Sequence, residues 1–268
     1  MLYFVLDVYL IRESHSMSAV ITLAAFSVFV GALIGAAGIG GVLLVPFMAY
    51  ALSFDIHTAI AGAMFGYIFA GCVGALLYAR HGSIEWDVAR WLILGAMPAA
   101  FLGSFTASAV SGLTLEAAIA ALLLFAGLNA LRSSKGSINK ERQLGPIALM
   151  AIGAVAGFGS SMTGTGGPLI IVPLLLWLRF PAMAAVGLSQ ATQFPLATLA
   201  TAGNVIYGKV DYEIGTVIAV GLVLGVILGA NAAHALAPTV SKRIVAWVTV
   251  IVGLFVATRL FANFNGFL

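Results

Sequence analysis

The sequence predicts an all-α polytopic membrane protein of two inverted repeats, with about five transmembrane or half-spanning helices in each repeat. Hydrophobic residues make up 62% of the 268-residue chain and charged residues 8%, whereas a soluble domain carries roughly 25% charged residues. So few polar groups cannot cover a water-facing surface of ordinary size, so the chain folds in lipid. The net charge of +3 comes without a basic run between aromatic residues, which predicts no nucleic-acid partner.

The second observation is an internal duplication. Eight glycines of the first half recur 126 positions later, where an unrelated register would give roughly one or two such pairs. The eight are Gly31, Gly38, Gly40, Gly41, Gly82, Gly95, Gly103 and Gly127, matched by Gly157, Gly164, Gly166, Gly167, Gly208, Gly221, Gly229 and Gly253. A duplicated, very apolar chain is typical of secondary transporters.

The apolar runs give the elements in order. A hydrocarbon core of about 30 Å needs near 20 apolar helical residues. Ten segments emerge: 18–36, 41–52, 58–78, 89–110 and 114–131 in the first half, and 146–158, 168–178, 182–207, 214–236 and 242–261 in the second. The first two segments of each half meet at a glycine-rich break and are short. If these pairs dip in and return as re-entrant hairpins, about eight elements remain, and the halves are still inverted because each contains an odd number of crossings.

The domain organisation follows from these segments. We expect an N-terminal segment over 1–17, which is either interfacial or a mis-assigned start before Met17, then a first repeat over 18–132. A linker over 133–145, a second repeat over 146–262 and a tail over 263–268 complete the chain. With the N-terminus outside, nine Lys and Arg fall on the inner side and three on the outer side, which predicts external termini and a cytoplasmic linker.

Two matching glycine-rich breaks are the candidate binding elements. The first contains Gly38, Gly40 and Gly41, and the second contains Gly164, Gly166 and Gly167. Clustered glycines disfavour helix, and Pro168 suits a first helical turn, so each break opens a new helix. Free N–H groups and a helix dipole at such a start suit an anion, although close helix packing is the commoner use of paired glycines. Neither break has the Lys-Ser/Thr of a nucleotide-binding loop.

Polar side chains concentrate on the second copy, which predicts an asymmetric site. Hydroxyls and amides are costly in a bilayer unless they are paired or line a cavity, but Ser and Thr also bond back to their own helix. The candidates are Ser160, Ser161, Thr163 and Thr165 at the break, Ser189, Gln190, Thr192 and Gln193 in the next long segment, and Asn204 further along it with Thr201. His234 is the candidate for proton coupling, against hydrogen-bonded packing as the alternative.

The remaining titratable residues predict structure rather than chemistry. Glu116 lies near a helix start, where a carboxylate suits the dipole. Glu85, Asp87, Asp211 and Glu213 recur in equivalent loops and are expected to cap the helices that follow. Paired deep carboxylates, metal-ligand spacings and a nucleophile with a nearby base are missing from the sequence, and Cys72 is its one cysteine. We therefore expect no enzyme, no cofactor and no metal site.

The two glycine elements, each followed by Val-Pro, and the patches at 59–62 and 184–187 resemble the sulfite exporter TauE/SafE family of bacterial membrane permeases. The resemblance covers about 18–260 and implies transport of sulfite- or sulfonate-like anions, usually outward, across the bacterial cytoplasmic (inner) membrane. The partners it implies are a small anionic substrate and the lipid bilayer, with a homo-oligomer left open. Ile39 stands where the second copy has Thr165, so a hydroxyl contact is expected on one side only. An anion channel and a non-transporting structural or sensory subunit remain the alternatives.

Overall fold

The computed structural model describes the backbone of residues 2–38, 40–132, 144–208, 210–235, 250–251, 253–259 and 261. Side chains are described for 17–38, 40–125, 144–208, 210–233, 250–251, 253–259 and 261. Within these ranges every regular element is helical, as predicted. The central linker 133–143 and most of the last predicted segment lie outside the described residues.

Nine helices can be followed in order through these ranges. They are α1 (Leu2–Ala37), α2 (Gly41–Ala51), α3 (Ile56–Arg80), α4 (Trp86–Ala109), α5 (Gly112–Arg132), α6 (Pro146–Thr163), α7 (Pro168–Trp177), α8 (Ala182–Tyr207) and α9 (Tyr212–Ala235). Residues 250–251 and 253–259 are also helical. The ends agree with the predicted segments within a few residues, with two exceptions.

The exceptions lie at α1 and α6. The helical backbone of α1 runs without a break from Leu2 through Met17, so the apolar segment predicted from residue 18 is the second half of a longer helix. The predicted end of α6 at residue 158 is wrong, because the helix continues to Thr163. It ends where Gly164 adopts a left-handed conformation with φ of 65°, which glycine reaches at no steric cost.

Five helices are long and apolar enough to cross a bilayer by length and composition: Met17–Ala37, Ile56–Arg80, Trp86–Ala109, Pro146–Thr163 and Tyr212–Ala233. Helix α8 has 26 residues, which is ample length, but its central hydroxyl and amide residues lower its hydropathy. Helices α2 and α7 have only about half the length of a crossing, roughly 15 Å at 1.5 Å per residue. The chain is a multi-pass membrane protein in which the two short helices do not cross by themselves.

The duplication is visible in the packing. Helix α1 packs on α9, α4 packs on α6, and α3 and α8 pack on each other at the centre. Gly31 of α1 meets the backbone of Leu222 in α9, and Gly157 of α6 meets the backbone of Ala96 in α4. Gly157 follows Gly31 by 126 positions, and Leu222 follows Ala96 by the same number. The two halves therefore exchange equivalent contacts around a pseudo-two-fold axis.

The directions of the helices show that the halves are inverted. In three pairs of helices, later residues of one helix contact later residues of the other, so the two helices run parallel. These pairs are α1 with α9, α3 with α9, and α4 with α8. Contacts run oppositely between α3 and α8, where Gly71 meets Phe194 and Gly74 meets Gln190. Equivalent helices of the two repeats therefore point in opposite directions, as predicted.

Each short helix folds back along the helix before it. Because α1 and α3 run the same way, α2 must return between them, and the rings of Phe26 and Phe47 stack with centroids 3.7 Å apart. In the second repeat, Gly159 of α6 faces the side chain of Ile170 in α7. We name these units hairpin 1 (α1 and α2) and hairpin 2 (α6 and α7). This arrangement agrees with the re-entrant alternative.

Candidate functional site

The tips of the two hairpins meet in the middle of the molecule. A Cβ atom placed on Gly41 in hairpin 1 would lie 2.7 Å from the carbonyl oxygen of Thr165 in hairpin 2. Gly164 faces Val45 of α2, and Gly38 faces Val172 of α7. The predicted glycines of both breaks are thus brought together, and all described residues at 38–46 and 164–173 are buried. Ile39 lies outside the described residues.

Local hydrogen bonds shape the tip of hairpin 2. The Thr165 amide donates to the carbonyl of Ser160 at 3.2 Å, which closes the last turn of α6. The Ser160 hydroxyl donates to the carbonyl of Gly166 at 2.9 Å. Gly166 has φ of 76°, so the chain reverses there before Pro168 starts α7.

The start of α7 leaves backbone donors without partners. In the fully described stretch 160–171, the N–H groups of Gly166, Gly167 and Leu169 donate to no backbone or side-chain acceptor. Pro168 has no N–H, and the first backbone donor used in α7 is that of Ile170. An orphaned buried N–H costs free energy comparable to a lost hydrogen bond. Orphaned N–H groups at the positive end of a helix dipole are an arrangement that suits an anion in general.

Two side chains cover this site. A Cβ atom placed on Gly166 would lie 3.5 Å from the Tyr67 ring and 3.6 Å from the Gln193 side-chain nitrogen. Gln193 is 1% exposed, and neither its nitrogen nor its oxygen has a hydrogen-bond partner. A buried amide without partners costs roughly 1–3 kcal/mol. The Gln193 amide therefore adds a fourth free donor beside the three backbone groups.

At the tip of hairpin 1, side chains donate hydrogen bonds to three backbone carbonyls. The Tyr67 hydroxyl donates to the carbonyl of Gly41 at 2.6 Å. Tyr78 donates to the carbonyl of Gly35 at 2.8 Å. Gln190 donates to the carbonyl of Ile34 at 2.9 Å. These bonds fix the end of α1 and the start of α2 in a closed arrangement.

Most of the predicted hydroxyls bond back to their own helix. Ser161 donates to the carbonyl of Phe158, Thr163 to Gly159, Ser189 to Val186 and Thr192 to Leu188, at 2.7–3.2 Å. Thr163 and Thr165 share a further hydrogen bond of 3.0 Å. Their protons are thus engaged within hairpin 2 and α8. These residues shape the break, whereas the free donors are backbone groups and amides.

Two of the predicted residues lie away from the hairpin tips. Asn204 is near the end of α8, with Thr201 one turn before it, and their side-chain nitrogen and hydroxyl have no partner. His234 belongs to α9, but its side chain lies outside the described residues, so its proton-coupling role stays a prediction. Tyr67 and Tyr78 are contributions that the polar pattern of the second half does not indicate. The signal that identifies them is the repeat register, because Tyr67 and Tyr78 stand 126 positions before Gln193 and Asn204.

The electrostatics of the site come from dipoles. The described buried side chains with polar atoms are uncharged: they are Ser, Thr, Gln and Asn, together with the hydroxyls of Tyr67 and Tyr78. Charges occupy the periphery: Asp55 accepts from the amides of His57 and Thr58 at the start of α3, and Glu116 accepts from Tyr50 at 2.9 Å. No group of three metal-binding side chains occurs among the described residues.

Predicted helix capping is correct for one repeat only. Asp211 accepts hydrogen bonds from the amides of Glu213 and Ile214, both at 3.1 Å, and so caps α9. Glu85 precedes α4 at the equivalent position, but its side chain makes no capping bond. The longer Glu side chain leaves the first turn of α4 without a side-chain cap.

Comparison with known proteins places these features in a family. Residues 23–256 match the model of the family described as "Sulfite exporter TauE/SafE". The "Probable membrane transporter protein YdhB" of Bacillus subtilis (strain 168) is 25% identical, over 84% of this chain and 94% of its own length. The "Probable membrane transporter protein YjnA" of the same organism is 24% identical, over 87% of this chain and 98% of its own. A "Probable membrane transporter protein" of Xylella fastidiosa (strain 9a5c) is 25% identical, over 87% and 93%. No solved structure gives a significant match.

Proposed function

Because a family model covers residues 23–256, the chain belongs to the sulfite exporter TauE/SafE family, and we propose that it is a secondary transporter of a small sulfite- or sulfonate-like anion. It moves this anion outward across the cytoplasmic membrane by alternating access. The names of the relatives, which are all membrane transporters, support transport in general. The anion and the mechanism rest on the site.

One observation carries the proposal. The N–H groups of Gly166, Gly167 and Leu169 have no acceptor at the buried start of α7, and the unpartnered Gln193 amide lies beside Gly166. Each unsatisfied donor is costly inside a bilayer, and four together would be a large penalty if nothing occupied the site. An oxyanion with three or more oxygens can accept all four hydrogen bonds at once. Binding of the anion thus converts the penalty into binding free energy.

The absence of charge among the described buried side chains sets the strength of binding. Hydrogen bonds to a charged group contribute roughly 1.5–3 kcal/mol each, and the helix dipole adds about 0.3–1 kcal/mol. A buried cation would hold the anion more tightly and slow its release. Neutral donors support moderate affinity, which suits a carrier that must release its substrate on the other side of the membrane.

The inverted repeats supply a means of alternating access. Hairpins 1 and 2 approach the centre from opposite sides and contact each other at Gly41 and Thr165. In transporters of this type, one repeat rocks against the other around a central site. Here the anion would sit at the tip of hairpin 2, so movement of either hairpin would open the site to one side.

Transport can be tested with purified protein in sealed liposomes. We expect uptake of radiolabelled sulfite that saturates, and that is accelerated when unlabelled sulfite is loaded on the opposite side. Such counterflow separates a carrier from a channel. Gln193→Glu places a negative charge beside the free donors, and we expect a loss of at least about ten-fold, equivalent to one hydrogen bond to a charged ligand.

The matched control is Thr198→Val in the same helix. Thr198 is exposed on the outer face of α8, and its hydroxyl bonds to the carbonyl of Phe194 at 2.8 Å, so uptake should remain at the wild-type level. Sulfite, a short sulfonate, acetate and chloride are compared as substrates, together with a divalent metal cation. If the wild-type protein moves only the cation, or no anion faster than protein-free liposomes, the proposed function is wrong.

A further inference from the structure

The unpartnered polar atoms of the protein are concentrated on a single helix face. Six buried side-chain atoms lack hydrogen-bond partners among the described residues, and five of them belong to α8. Their residues, which we name the α8 stripe, are Gln190, Gln193, Thr201 and Asn204. At 100° per residue these four positions fall within an arc of about 80°. The stripe thus continues past the central site toward the end of α8.

All four residues of the stripe are buried, and so are their unpartnered atoms. Gln190 is 0% exposed and Gln193 1%, whereas Thr201 is 7% and Asn204 6% exposed. Thr201 and Asn204 lie about 12 Å and 16 Å along the helix axis from Gln193. They are therefore too far away to bind an anion that sits at the start of α7. Their free hydroxyl and amide nitrogen form a separate pair of donors, near the 208–211 connection to α9.

The equivalent face of the first repeat is closed. The counterpart of Asn204 is Tyr78, whose hydroxyl reaches the carbonyl of Gly35 at 2.8 Å. Gly35 is in turn the counterpart of Ser161 at the end of α6. Asn204 is too short to make the matching bond, and its nitrogen has no partner. The second repeat thus has an unsatisfied donor at Asn204, where the first repeat has a hydrogen-bonded tyrosine.

From this asymmetry we propose that Thr201 and Asn204 form a second, peripheral contact for the anion. The anion passes this contact between the central site and the membrane face at which α8 ends. The inference rests on the proposed function for the identity of the ligand, a small oxyanion. It adds a second binding position to the central site. It also implies that the anion reaches the central site of this conformation from the membrane face at which α8 ends.

Cysteine labelling tests the proposal independently of transport. Cys72, the one native cysteine, is replaced by alanine, and Thr201→Cys and Asn204→Cys are made separately in that background. Sealed vesicles of each orientation are treated with a negatively charged, membrane-impermeant methanethiosulfonate. We expect both cysteines to react from the face at which α8 ends and at least about ten-fold more slowly from the other face.

Binding is tested by protection. Methanesulfonate, which does not consume the reagent, is added at the concentration that halves radiolabelled sulfite uptake. We expect it to slow labelling at both positions several-fold. The matched control is Thr198→Cys, because Thr198 is exposed but faces outward on α8. A thiol in lipid does not meet the charged reagent, so this cysteine should stay unlabelled although its surface exposure is greater.

The outcomes separate the two proposals. If the wild type transports sulfite but neither cysteine reacts from either face, the peripheral contact is wrong and the proposed function stands. Labelling without protection means a water-filled vestibule and also overturns the contact. If both cysteines are labelled from one face while the wild type moves no sulfite, an aqueous path along the α8 stripe exists but the transport proposal is wrong. Thr201→Val, which keeps the side-chain shape, provides a second measure: it should raise the sulfite concentration for half-maximal uptake several-fold.

Discussion

The two glycine breaks share a sequence pattern but differ in what surrounds them. At hairpin 1 the glycines allow close backbone contact: a Cβ atom on Gly40 would lie 2.6 Å from the carbonyl oxygen of Val30. At hairpin 2 a Cβ atom on Gly166 would meet only side chains, at 3.5 Å or more. The equivalent glycines Gly40 and Gly166 thus differ in their surroundings, since the first packs against backbone and the second leaves room for a methyl group.

Side chains at equivalent positions produce this difference. Tyr67 occupies the position of Gln193, and Tyr78 that of Asn204. Each tyrosine hydroxyl satisfies a carbonyl of hairpin 1, whereas each amide nitrogen in the second repeat remains unpartnered. Replacing a long side chain by a shorter one at the same backbone position therefore converts a structural contact into a free donor. A duplicated fold can in this way keep its packing and acquire an asymmetric site.

The largest effect is expected for Gly41→Ala. The new methyl group would lie 2.7 Å from the Thr165 carbonyl oxygen and 2.8 Å from the Tyr67 hydroxyl, and a backbone oxygen cannot move aside cheaply. We expect a loss of stability at or above the usual range of about 1–3 kcal/mol for overpacking. Little folded protein should be recovered, as measured by size-exclusion chromatography and thermal unfolding in detergent.

Gly145→Ala is the control for that substitution. Gly145 has a negative φ of −64°, and a Cβ atom there would have no neighbour within 4 Å, so stability should not change. Gly41→Ala protein that unfolds at the wild-type temperature would show that hairpin 1 can move away from hairpin 2 without loss of stability.

A smaller loss of stability, but a large loss of transport, is expected for Gly166→Ala. The left-handed conformation at φ of 76° costs an alanine about 1–2 kcal/mol, yet the methyl group fits beside Tyr67 and Gln193. It fills the space where the anion would accept hydrogen bonds. Sulfite uptake should therefore fall at least about ten-fold, the equivalent of 1.4 kcal/mol, in protein that still folds.

Strain and occlusion can be separated with Gly82→Ala. Gly82 has φ of 65° in the turn between α3 and α4, and nothing lies within 4 Å of a Cβ atom there. The strain is similar, but the site is distant, so uptake should be retained. Equal uptake by Gly166→Ala and Gly82→Ala would move the binding site away from the start of α7.

The sequence predicts the architecture well because glycine spacing reports backbone contact. Gly31 and Gly157, which repeat at the interval of 126, contact Leu222 and Ala96, which repeat at the same interval. The inversion of the halves follows from an odd number of crossings and agrees with the observed helix directions. The end of α6 was missed because five further residues, up to Thr163, are compatible with helix and only Gly164 provides an inexpensive stop.

The candidate site is harder to predict from sequence, because the residue type does not reveal whether a Ser or Thr hydroxyl bonds to a ligand or to its own helix. Ser161 and Thr192 belong to the predicted set, but both donate to carbonyls within their own helices. The free N–H groups of Gly166 and Gly167 lie in the break that the clustered glycines and Pro168 indicate, whereas that of Leu169 lies beyond the predicted set. The contrast between Tyr67 and Gln193 follows from the repeat register, in which the two residues occupy equivalent positions.

An effect of opposite sign is expected at the equivalent positions 67 and 193. Tyr67→Phe removes the hydroxyl that satisfies the Gly41 carbonyl and should destabilise the protein by about 1–3 kcal/mol. Gln193→Met removes two unpartnered polar atoms and should leave stability unchanged or raise it by about 1 kcal/mol. Thermal unfolding of both variants in one detergent gives the comparison.

Uptake should respond in the reverse order. In Tyr67→Phe the phenylalanine ring still borders Gly166, so the sulfite concentration for half-maximal uptake should change by less than about three-fold. In Gln193→Met that concentration should rise roughly ten-fold, as expected for the loss of one hydrogen bond to the anion. If both variants changed stability and uptake in the same direction, Tyr67 in the first repeat and Gln193 in the second would have the same role.

The smallest effects concern the helix starts, where the repeats also differ. Asp211 caps α9 with two hydrogen bonds at 3.1 Å, so Asp211→Ala should cost about 1 kcal/mol. Glu85 makes no such bond at the start of α4, and Glu85→Ala should change stability by less than about 0.5 kcal/mol. Both residues lie outside the hairpin tips, so sulfite uptake per folded molecule should be unchanged in each. A fall in uptake with Asp211→Ala alone would instead connect the start of α9 to the path along the α8 stripe, because the connection 208–211 joins the two helices.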